Sequence, residues 1–511
     1  MSTIVVKSTY QWLNNILLKR KNQFRLDNCV IVFGCVNPYN KERNQKRNYL
    51  LELEILIENE EDTKMVDNVT IEVALSKEER FKNYQKSLTL AEENGKLSPE
   101  DGMPFGKGKI IRFGIGFLVF GVLWMVGINS VASFIVPLRL KTMVSNPAAV
   151  ISVNGVVSSI FSLVSNLVFG NLSDRCRSIF GRRTPWIVSG AVIGGIFMFF
   201  TGVAPSPFIL VVSYGFAMLG LNMMIAPFVA MLSDRVPKDI RGTMSACYGA
   251  GSTIGAPIGT LIASKMVSNT FLSSVCAGLF MLASGIFVVL VIPREKSADF
   301  MPKNDGDSLK DLLLSFRPPV FETNHDFYKA FAGRLCMLMG YQMITAYQLY
   351  IVTDHVGLDT KSAAAVISVM SVITMVVSLA GPAISGPLSD IIGRRKIPVL
   401  VASILFAIGT AIPWLMPTAW GMYLYAAIAG LGYGVYSSVD QALNVDVLSS
   451  KEEAGKDLGI LNLATTLGQM IGPVITASIV TATGGYTVAF VISIVLAILG
   501  SVFIMSIKSV K

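Results

Sequence analysis

The chain has 511 residues, of which 52% are hydrophobic and 15% are charged, and its mean hydropathy is +0.57. Soluble domains carry roughly 25% charged residues, so this composition excludes an ordinary soluble domain and indicates a polytopic membrane protein. The formal net charge of +9 would suit a nucleic-acid partner, but the basic residues cluster at the ends of apolar segments. That distribution is typical of membrane proteins, so we predict the lipid bilayer as a partner and no nucleic acid.

Catalytic and metal-binding motifs are scarce in the sequence. Six cysteines occur without a CxxC spacing, and there are two histidines. Neither an HExxH motif nor a phosphate-cradling glycine loop followed by lysine is present. An integral membrane enzyme would need clustered catalytic groups that the sequence does not show. We therefore predict no metal, no cofactor and no enzymatic activity.

Residues 1–108 are predicted to form a polar N-terminal extension. No apolar stretch within them reaches the ~20 residues that a membrane crossing needs. They do not resemble a signal peptide, because no apolar core follows a short basic start. Glu60 and Glu61 precede Met65, and GAG codons there would form a ribosome-binding sequence. One hypothesis is therefore that translation starts at Met65, and the alternative is a real cytoplasmic tail.

Twelve apolar spans follow, and they predict an all-α integral membrane fold of two pseudo-symmetric six-helix bundles. We place the first bundle at 109–292, a cytoplasmic linker at 293–326 and the second bundle at 327–511. Within the linker, 308–316 is predicted to form a short amphipathic surface helix. The predicted spans are 110–137, 148–170, 185–203, 207–232, 241–267 and 271–292, then 327–353, 362–388, 397–415, 419–446, 457–482 and 486–507.

The distribution of lysine and arginine predicts the orientation. The breaks after the even-numbered spans hold most of these residues, although Arg139 and Lys141 in the first break count against the pattern. We therefore predict a multi-pass protein of the cell membrane with both termini in the cytoplasm.

One charged motif occurs once in each half. It reads GNLSDRCRSIFGRRTP from Gly170 and returns roughly 200 positions later as GPLSDIIGRRKIP from Gly386, as expected of a transporter built from two related halves. Lipid cannot hold so many arginines, so each copy is a turn at the membrane face. The predicted gating residues are Asp174, Arg175, Arg182, Arg183, Asp390, Arg394 and Arg395.

The motif's chemistry suggests how a gate would work. We predict that its glycines let helices approach closely across the seam between the halves, that its acids pair across that seam, and that its arginines hold the face in one of two states. The alternative is a charge cluster that only sets topology. The glycines of spans 5 and 11 are likewise predicted to lie at the seam, with ordinary tight packing as the alternative.

Two charges lie inside predicted spans, where each costs at least ~2.5 kcal/mol at the bilayer centre. Arg334 and Asp440 are each roughly 10 Å from the same face at ~1.5 Å per residue, so an ion pair is predicted. The pair either couples transport to a proton or substrate, or is a static pair that neutralises two buried charges.

Several spans present polar faces. Hydroxyl and amide groups with aromatic neighbours suit a neutral polyhydroxylated ligand better than a lipid or a cationic drug. The alternative for any one residue is an interhelical hydrogen bond that serves packing. The predicted substrate-binding residues are Trp124, Asn129, Tyr341, Thr345, Gln348, Asn462, Thr466 and Gln469.

From about residue 105 onward the chain resembles the major facilitator superfamily. Within it, LSDRCRS from Leu172 and FGRRTPW from Phe180 are similar to the sucrose/proton symporter group and its bacterial relatives. The resemblance implies two six-helix bundles and proton-driven uptake of a sugar, a disaccharide or a glucoside. Thr184 departs from the family pattern of a third basic residue. The first four spans lack an intramembrane acid, which argues against sodium coupling and leaves Asp440 as the coupling candidate.

The sequence thus predicts a secondary active transporter that takes up a sugar with protons by alternating access around a midplane site. The alternatives are an exporter or antiporter of a small amphiphilic compound on the same fold, and a sugar sensor that transports nothing.

Overall fold

The computed structural model describes residues 29–33, 53–57, 77–301, 324–392, 396–447 and 454–508. At 382–392, at most positions of 438–446 and at 454–459, it describes the backbone alone. The predicted surface helix at 308–316 lies outside the described residues. Two strands, β1 (Cys29–Phe33) and β2 (Leu53–Ile57), pair antiparallel with Cys29 opposite Ile57.

One helix, α1 (Lys77–Glu93), precedes the first half of the bundle. Several of its helices begin with a proline in the first turn and an asparagine or serine just before it. At the start of one of them, Asn146 Oδ1 accepts a hydrogen bond from the Ala149 amide at 3.2 Å. A π-helical turn at Val131–Ile135 interrupts the next helix, α2 (Lys107–Met143). The helices are α1 (Lys77–Glu93), α2 (Lys107–Met143), α3 (Pro147–Asp174), α4 (Thr184–Val203), α5 (Pro207–Arg235), α6 (Lys238–Lys265) and α7 (Thr270–Val291).

The second half repeats this arrangement with six further helices, so each predicted span corresponds to one helix from α2 to α13. The first of them, α8, comprises His325–Thr345 and Gln348–His355, which are bent by 49° at the break. The others are α9 (Thr360–Ile392), α10 (Lys396–Leu415), α11 (Ala419–Asp446), α12 (Ala454–Thr483) and α13 (Thr487–Met505). The predicted all-α fold of two six-helix bundles is confirmed.

Not every helix is apolar enough to be recognised as a membrane span on its own. Among the described residues, nine helices pass by length and hydropathy, or ten when the two parts of α8 count as one. The exceptions are α6 and α11, which carry many glycine, serine, threonine and tyrosine residues. Such helices remain stable in a bilayer because their polar faces contact protein rather than lipid.

Equivalent helices make equivalent contacts in the two halves. In the first half α2 packs against α6 and α7, and α4 packs against α5; in the second, α8 packs against α12 and α13, and α10 against α11. Across the seam α3 packs against α12, and α6 packs against α9. This repeated pairing is what a duplicated six-helix unit predicts.

Gly386 lies in the stretch described by its backbone alone, but the other glycines that we expected at the seam lie elsewhere. A Cβ atom at Gly251 or Gly255 of α6 would collide with backbone carbonyls of α2, and one at Gly472 would collide with Met339 of α8. Those contacts lie within one half, and Gly170 faces open space. The predicted seam position is therefore wrong for these glycines, because helical spacing identifies a small-residue face but not the helix that it meets.

Residues 77–106 belong to the same compact unit as the helices, although the sequence assigned them to a polar extension. The Arg235 side chain, 4% exposed, donates from Nε to Glu100 at 2.7 Å and from Nη2 to the Pro293 carbonyl at 2.9 Å. Ser98 donates to the Arg235 carbonyl at 2.9 Å. Hydropathy does not reveal this docking, because polar contacts at helix ends hold the segment.

Candidate functional site

The charged motif of the first half forms a closed network at the end of the bundle where the 293–301 segment lies, here called the linker end. Arg183 is 4% exposed, and its guanidinium contacts Asp174 at 2.5 Å and Asp234 at 2.8 Å. It also donates to the Ser173 hydroxyl at 2.5 Å, and Arg182 approaches Asp234 at 3.1 Å. Two acids from α3 and α5 thus surround one buried cation at the start of α4.

This network corrects one part of the predicted gate. Among the described residues, Asp174 pairs with Arg183 of its own half rather than across the seam, because only a short turn separates the end of α3 from the start of α4. Arg175 caps the carboxyl end of α3. In the second copy, the side chain of Asp390 and the residues Arg394 and Arg395 lie outside the described part of the chain.

Glu295 is a member of this network that sequence reasoning missed. Its carboxylate accepts hydrogen bonds from the backbone amides of Arg182, Arg183 and Thr184 at 2.9 to 3.1 Å, and from the Thr184 hydroxyl at 2.9 Å. A carboxylate is favoured at a helix start because unpaired amides and the helix dipole point there. Gly181, at φ +96°, admits the carboxylate, because a Cβ atom there would overlap it.

The predicted ion pair inside the second half is present. Arg334 Nη1 lies 2.7 Å from Asp440 Oδ2, and the two side chains are 7% and 3% exposed. Arg334 also donates to Thr465 and Asn462, each at 3.1 Å, while Tyr436 donates to Asp440 Oδ1 at 3.0 Å. These hydrogen bonds offset part of the desolvation of the two charges.

A cavity of about 850 Å³ lies between the halves. It is lined by α2, α3, α5 and α6 of the first half and by α8, α9, α11 and α12 of the second. Among the described residues, its lining holds amide, hydroxyl, aromatic and apolar side chains and no Asp, Glu, Lys, Arg or His. The surface therefore offers hydrogen bonds and ring contacts without a counter-ion for a charged ligand.

Six of the eight predicted substrate-binding residues line this cavity: Trp124, Asn129, Tyr341, Thr345, Gln348 and Gln469. Asn462 and Thr466 do not line it. The Asn462 side chain instead accepts a hydrogen bond from Arg334. Helical spacing placed these two on the same face as Gln469 of α12. They lie nearer the linker end than Gln469, as their positions in the chain require.

Two lining features were not found from the sequence. Asn154 of α3 is 7% exposed, and its Oδ1 atom is buried without a hydrogen-bond donor among the described residues. In the second half, the rings of Tyr341 and Tyr433 stack with centroids 3.8 Å apart and planes 9° apart. The signal that could have found Asn154 is its spacing, because Ser158 and Ser162 follow at steps of four and share its helix face.

At the end opposite the linker, here called the distal end, hydrogen bonds join the two halves. Tyr350 donates to the Pro137 carbonyl at 2.8 Å, and Tyr347 donates to the Ala148 carbonyl at 3.0 Å. Lys141 pairs with Asp354 at 2.6 Å, and both side chains are well exposed. These contacts close the seam on the distal side of the cavity.

Comparisons with known proteins agree with this architecture. A profile of the Major Facilitator Superfamily matches residues 113–385 and 331–510. The MFS transporter asaE of Aspergillus flavus is 23% identical over 333 residues, which covers 62% of this chain and 71% of that protein. Multidrug resistance protein 3 of Bacillus subtilis is 34% identical over 109 residues, 20% of this chain and 21% of that protein.

Solved structures show the same fold. The nucleoside transporter NupG superposes with a TM-score of 0.61 at 14% identity, covering 78% of this chain and 100% of that one. A bacterial homologue of the human lysosomal transporter Spinster, inward-facing and occupied, gives a TM-score of 0.59 at 15% identity, covering 78% and 95%. Because the family profile spans both halves, the chain belongs to the major facilitator superfamily and is a membrane transporter of that type.

Proposed function

We propose that this transporter carries a neutral, hydroxyl-rich solute, a sugar such as a disaccharide or glucoside, into the cell together with protons. The observation that carries the proposal is the cavity between the halves, whose described lining is rich in amides and hydroxyls and free of charged side chains. A charged substrate would be desolvated there without a partner, whereas hydroxyl groups find donors and acceptors. The resemblance of the 172–186 segment to sucrose/proton symporters points the same way.

Proton coupling is assigned to Asp440 and Arg334. Ser437 lines the cavity, and Asp440 follows about one helical turn later on α11. A proton that binds the Asp440 carboxylate would neutralise it and remove the charge that holds Arg334. The guanidinium would then keep Thr465 and Asn462 as partners, so α8 and α12 would be free to shift against α11. Loss of the proton on the other side would restore the pair.

Gating is assigned to the linker-end network and the distal contacts. We propose that the linker end faces the cytoplasm of the cell, as the clustering of lysine and arginine favours. In this structure the distal contacts are formed, so the distal side of the cavity is closed. Alternating access requires those contacts to separate while the linker end closes, with Asp174, Arg182 and Arg183 holding one of the two arrangements.

A second candidate is export of a small amphiphilic compound. The names of two relatives favour it: a multidrug resistance protein, and a transporter from the acurin A biosynthesis cluster of Aspergillus aculeatus. The second of these is 36% identical over 97 residues, which is 19% of this chain and 17% of that protein. The aromatic and methionine residues of the cavity are also compatible with an amphiphile.

The deciding experiment uses the purified full chain in liposomes with radiolabelled sucrose, maltose and methyl glucoside, with a pH gradient imposed in either direction. We expect sugar to accumulate when protons flow in the same direction, and Asp440→Asn to lose accumulation while retaining sugar exchange. Asp101→Asn, which removes an acid near the surface paired with Lys109 at 3.0 Å, is the matched control. If no sugar were transported under either gradient, the sugar-uptake proposal would be rejected and export would be favoured.

A further inference from the structure

A buried acceptor in the cavity has no donor, and this points to a ligand group. The Oδ1 atom of Asn154 is buried and finds no donor among the described residues, and the residue lines the cavity. A buried carbonyl oxygen without a hydrogen bond is destabilising, so folded proteins seldom retain one without a reason.

The hydroxyls near Asn154 extend this polar surface within the first half. Ser158 follows one helical turn later on α3 and Ser162 one turn after that, and both line the cavity. The Ser158 hydroxyl donates to the Gly155 carbonyl at 3.0 Å, which leaves its oxygen as a further acceptor. The first half therefore presents acceptors in a row, as a solute with several hydroxyl donors requires.

The opposite wall, in the second half, has a different chemistry. Tyr341 and Tyr433 stack face to face, and α11 places Ala426, Ala429 and Gly430 in the lining beside Tyr433. Small residues next to a stacked ring pair leave room for a flat group against the aromatic surface. A tyrosine ring can pack against the C–H face of a sugar ring, but a planar aromatic group adds ring-to-ring stacking.

We infer that the cavity recognises a neutral glycoside with a planar aglycone: Asn154 accepts a hydrogen bond from a sugar hydroxyl, and the Tyr341–Tyr433 pair contacts the planar group. This rests on the proposed transport of a hydroxyl-rich solute and makes it narrower. Aryl O-glycosides and nucleosides share this chemistry, and the test below separates them. Bare disaccharides meet the requirement of Asn154 but offer the tyrosine wall only the C–H face of a sugar ring.

The test measures binding to the purified full chain in nanodiscs by calorimetry, with phenyl β-glucopyranoside, methyl β-glucopyranoside and uridine as probes. We expect the wild type to bind a probe with a planar group about tenfold more tightly than methyl glucopyranoside. Asn154→Leu should weaken both glucosides by about tenfold through the lost hydrogen bond. Tyr433→Leu should remove the preference for the planar group and leave methyl glucopyranoside binding nearly unchanged.

Asn166→Leu is the matched control, because it lies on the same helix as Asn154 and bonds to Asn222 at 3.1 Å outside the cavity lining. Tighter binding of uridine than of phenyl glucopyranoside, with the same dependence on Asn154 and Tyr433, would support the inference and identify an N-glycoside. Equal effects of Asn154→Leu and Asn166→Leu, or equal affinities for the phenyl and methyl compounds, would overturn this inference alone. If the wild type bound no glycoside, both this inference and the proposed function would be rejected.

Discussion

Arg334 of α8 and Asp440 of α11 form an ion pair of 2.7 Å in which both side chains are almost completely buried. We predict that Asp440→Asn and Arg334→Gln each destabilise the protein by about 3–5 kcal/mol, because each leaves one buried charge without its partner. The double variant should recover much of that loss, since neither charge remains. Thermal unfolding of the purified proteins in the same detergent measures the three differences.

The comparison of single and double variants also tests the static interpretation. If the double variant is stable and still transports solute with a pH gradient, the pair serves neutralisation alone and the coupling role is lost. A double variant destabilised by the sum of the two single effects would show instead that Arg334 and Asp440 act independently, against the geometry.

This ion pair was predictable from the sequence, whereas much of the surrounding site was not. Two charges at equal depth in apolar spans of one half have few other partners. Their depth was therefore enough to predict that Arg334 and Asp440 pair. Depth gives no information about rotation of a helix about its axis. The sequence could therefore place Asn462 on a polar face of α12 without showing that this face meets Arg334 rather than the cavity.

The same limit explains the other differences. The repeat of the charged motif predicted two related halves, but not that Asp174 would pair with Arg183 of its own half. Glu295 follows the last helix of the first half and is far from Arg183 in sequence, so no local pattern connects them. Contacts between distant segments that use backbone amides are hard to predict from sequence, because every residue other than proline carries such an amide.

Glu295 provides the second prediction. Glu295→Ala should destabilise the protein by about 1–2 kcal/mol, because the amides at the start of α4 lose their acceptor. Glu295→Gln keeps one acceptor oxygen and should lose less. Hydrogen exchange at Arg182, Arg183 and Thr184 reports the change directly, and it should rise in the Ala variant.

The control for this prediction is Glu92→Ala, which removes an exposed acid from α1. It should leave exchange at the start of α4 unchanged. Unchanged exchange in Glu295→Ala as well would contradict the capping role.

A third prediction concerns packing between α2 and α6. Gly251→Ala places a Cβ atom against the Leu118 carbonyl, which is backbone and cannot move aside. Overpacking of this kind costs about 1–3 kcal/mol or more, so the variant should unfold at a clearly lower temperature. Gly249→Ala lies two positions away, where nothing is within 4 Å, and should be neutral or slightly stabilising. Equal stability of the two variants would show that the helices separate easily.

The last prediction ranks the contacts that close the distal end. Tyr350→Phe removes a buried hydrogen bond to the Pro137 carbonyl, a loss of about 0.5–1.5 kcal/mol. Lys141→Gln removes an exposed ion pair, for which about 0–1 kcal/mol is typical. Both contacts join the halves, so losing either should favour the distally open state. Tyr350→Phe should do so more strongly.

The measurement is labelling of a single cysteine at Leu349, which lines the cavity near the distal end, by an impermeant thiol reagent added from that side. In a background without the native cysteines, we expect Tyr350→Phe to raise the labelling rate about fivefold or more, and Lys141→Gln to change it less than about twofold. A larger effect of Lys141→Gln would mean that the exposed pair, and not the buried tyrosines, holds the two halves together. The barrier to opening would then depend on salt, because exposed charges are screened and buried hydrogen bonds are not.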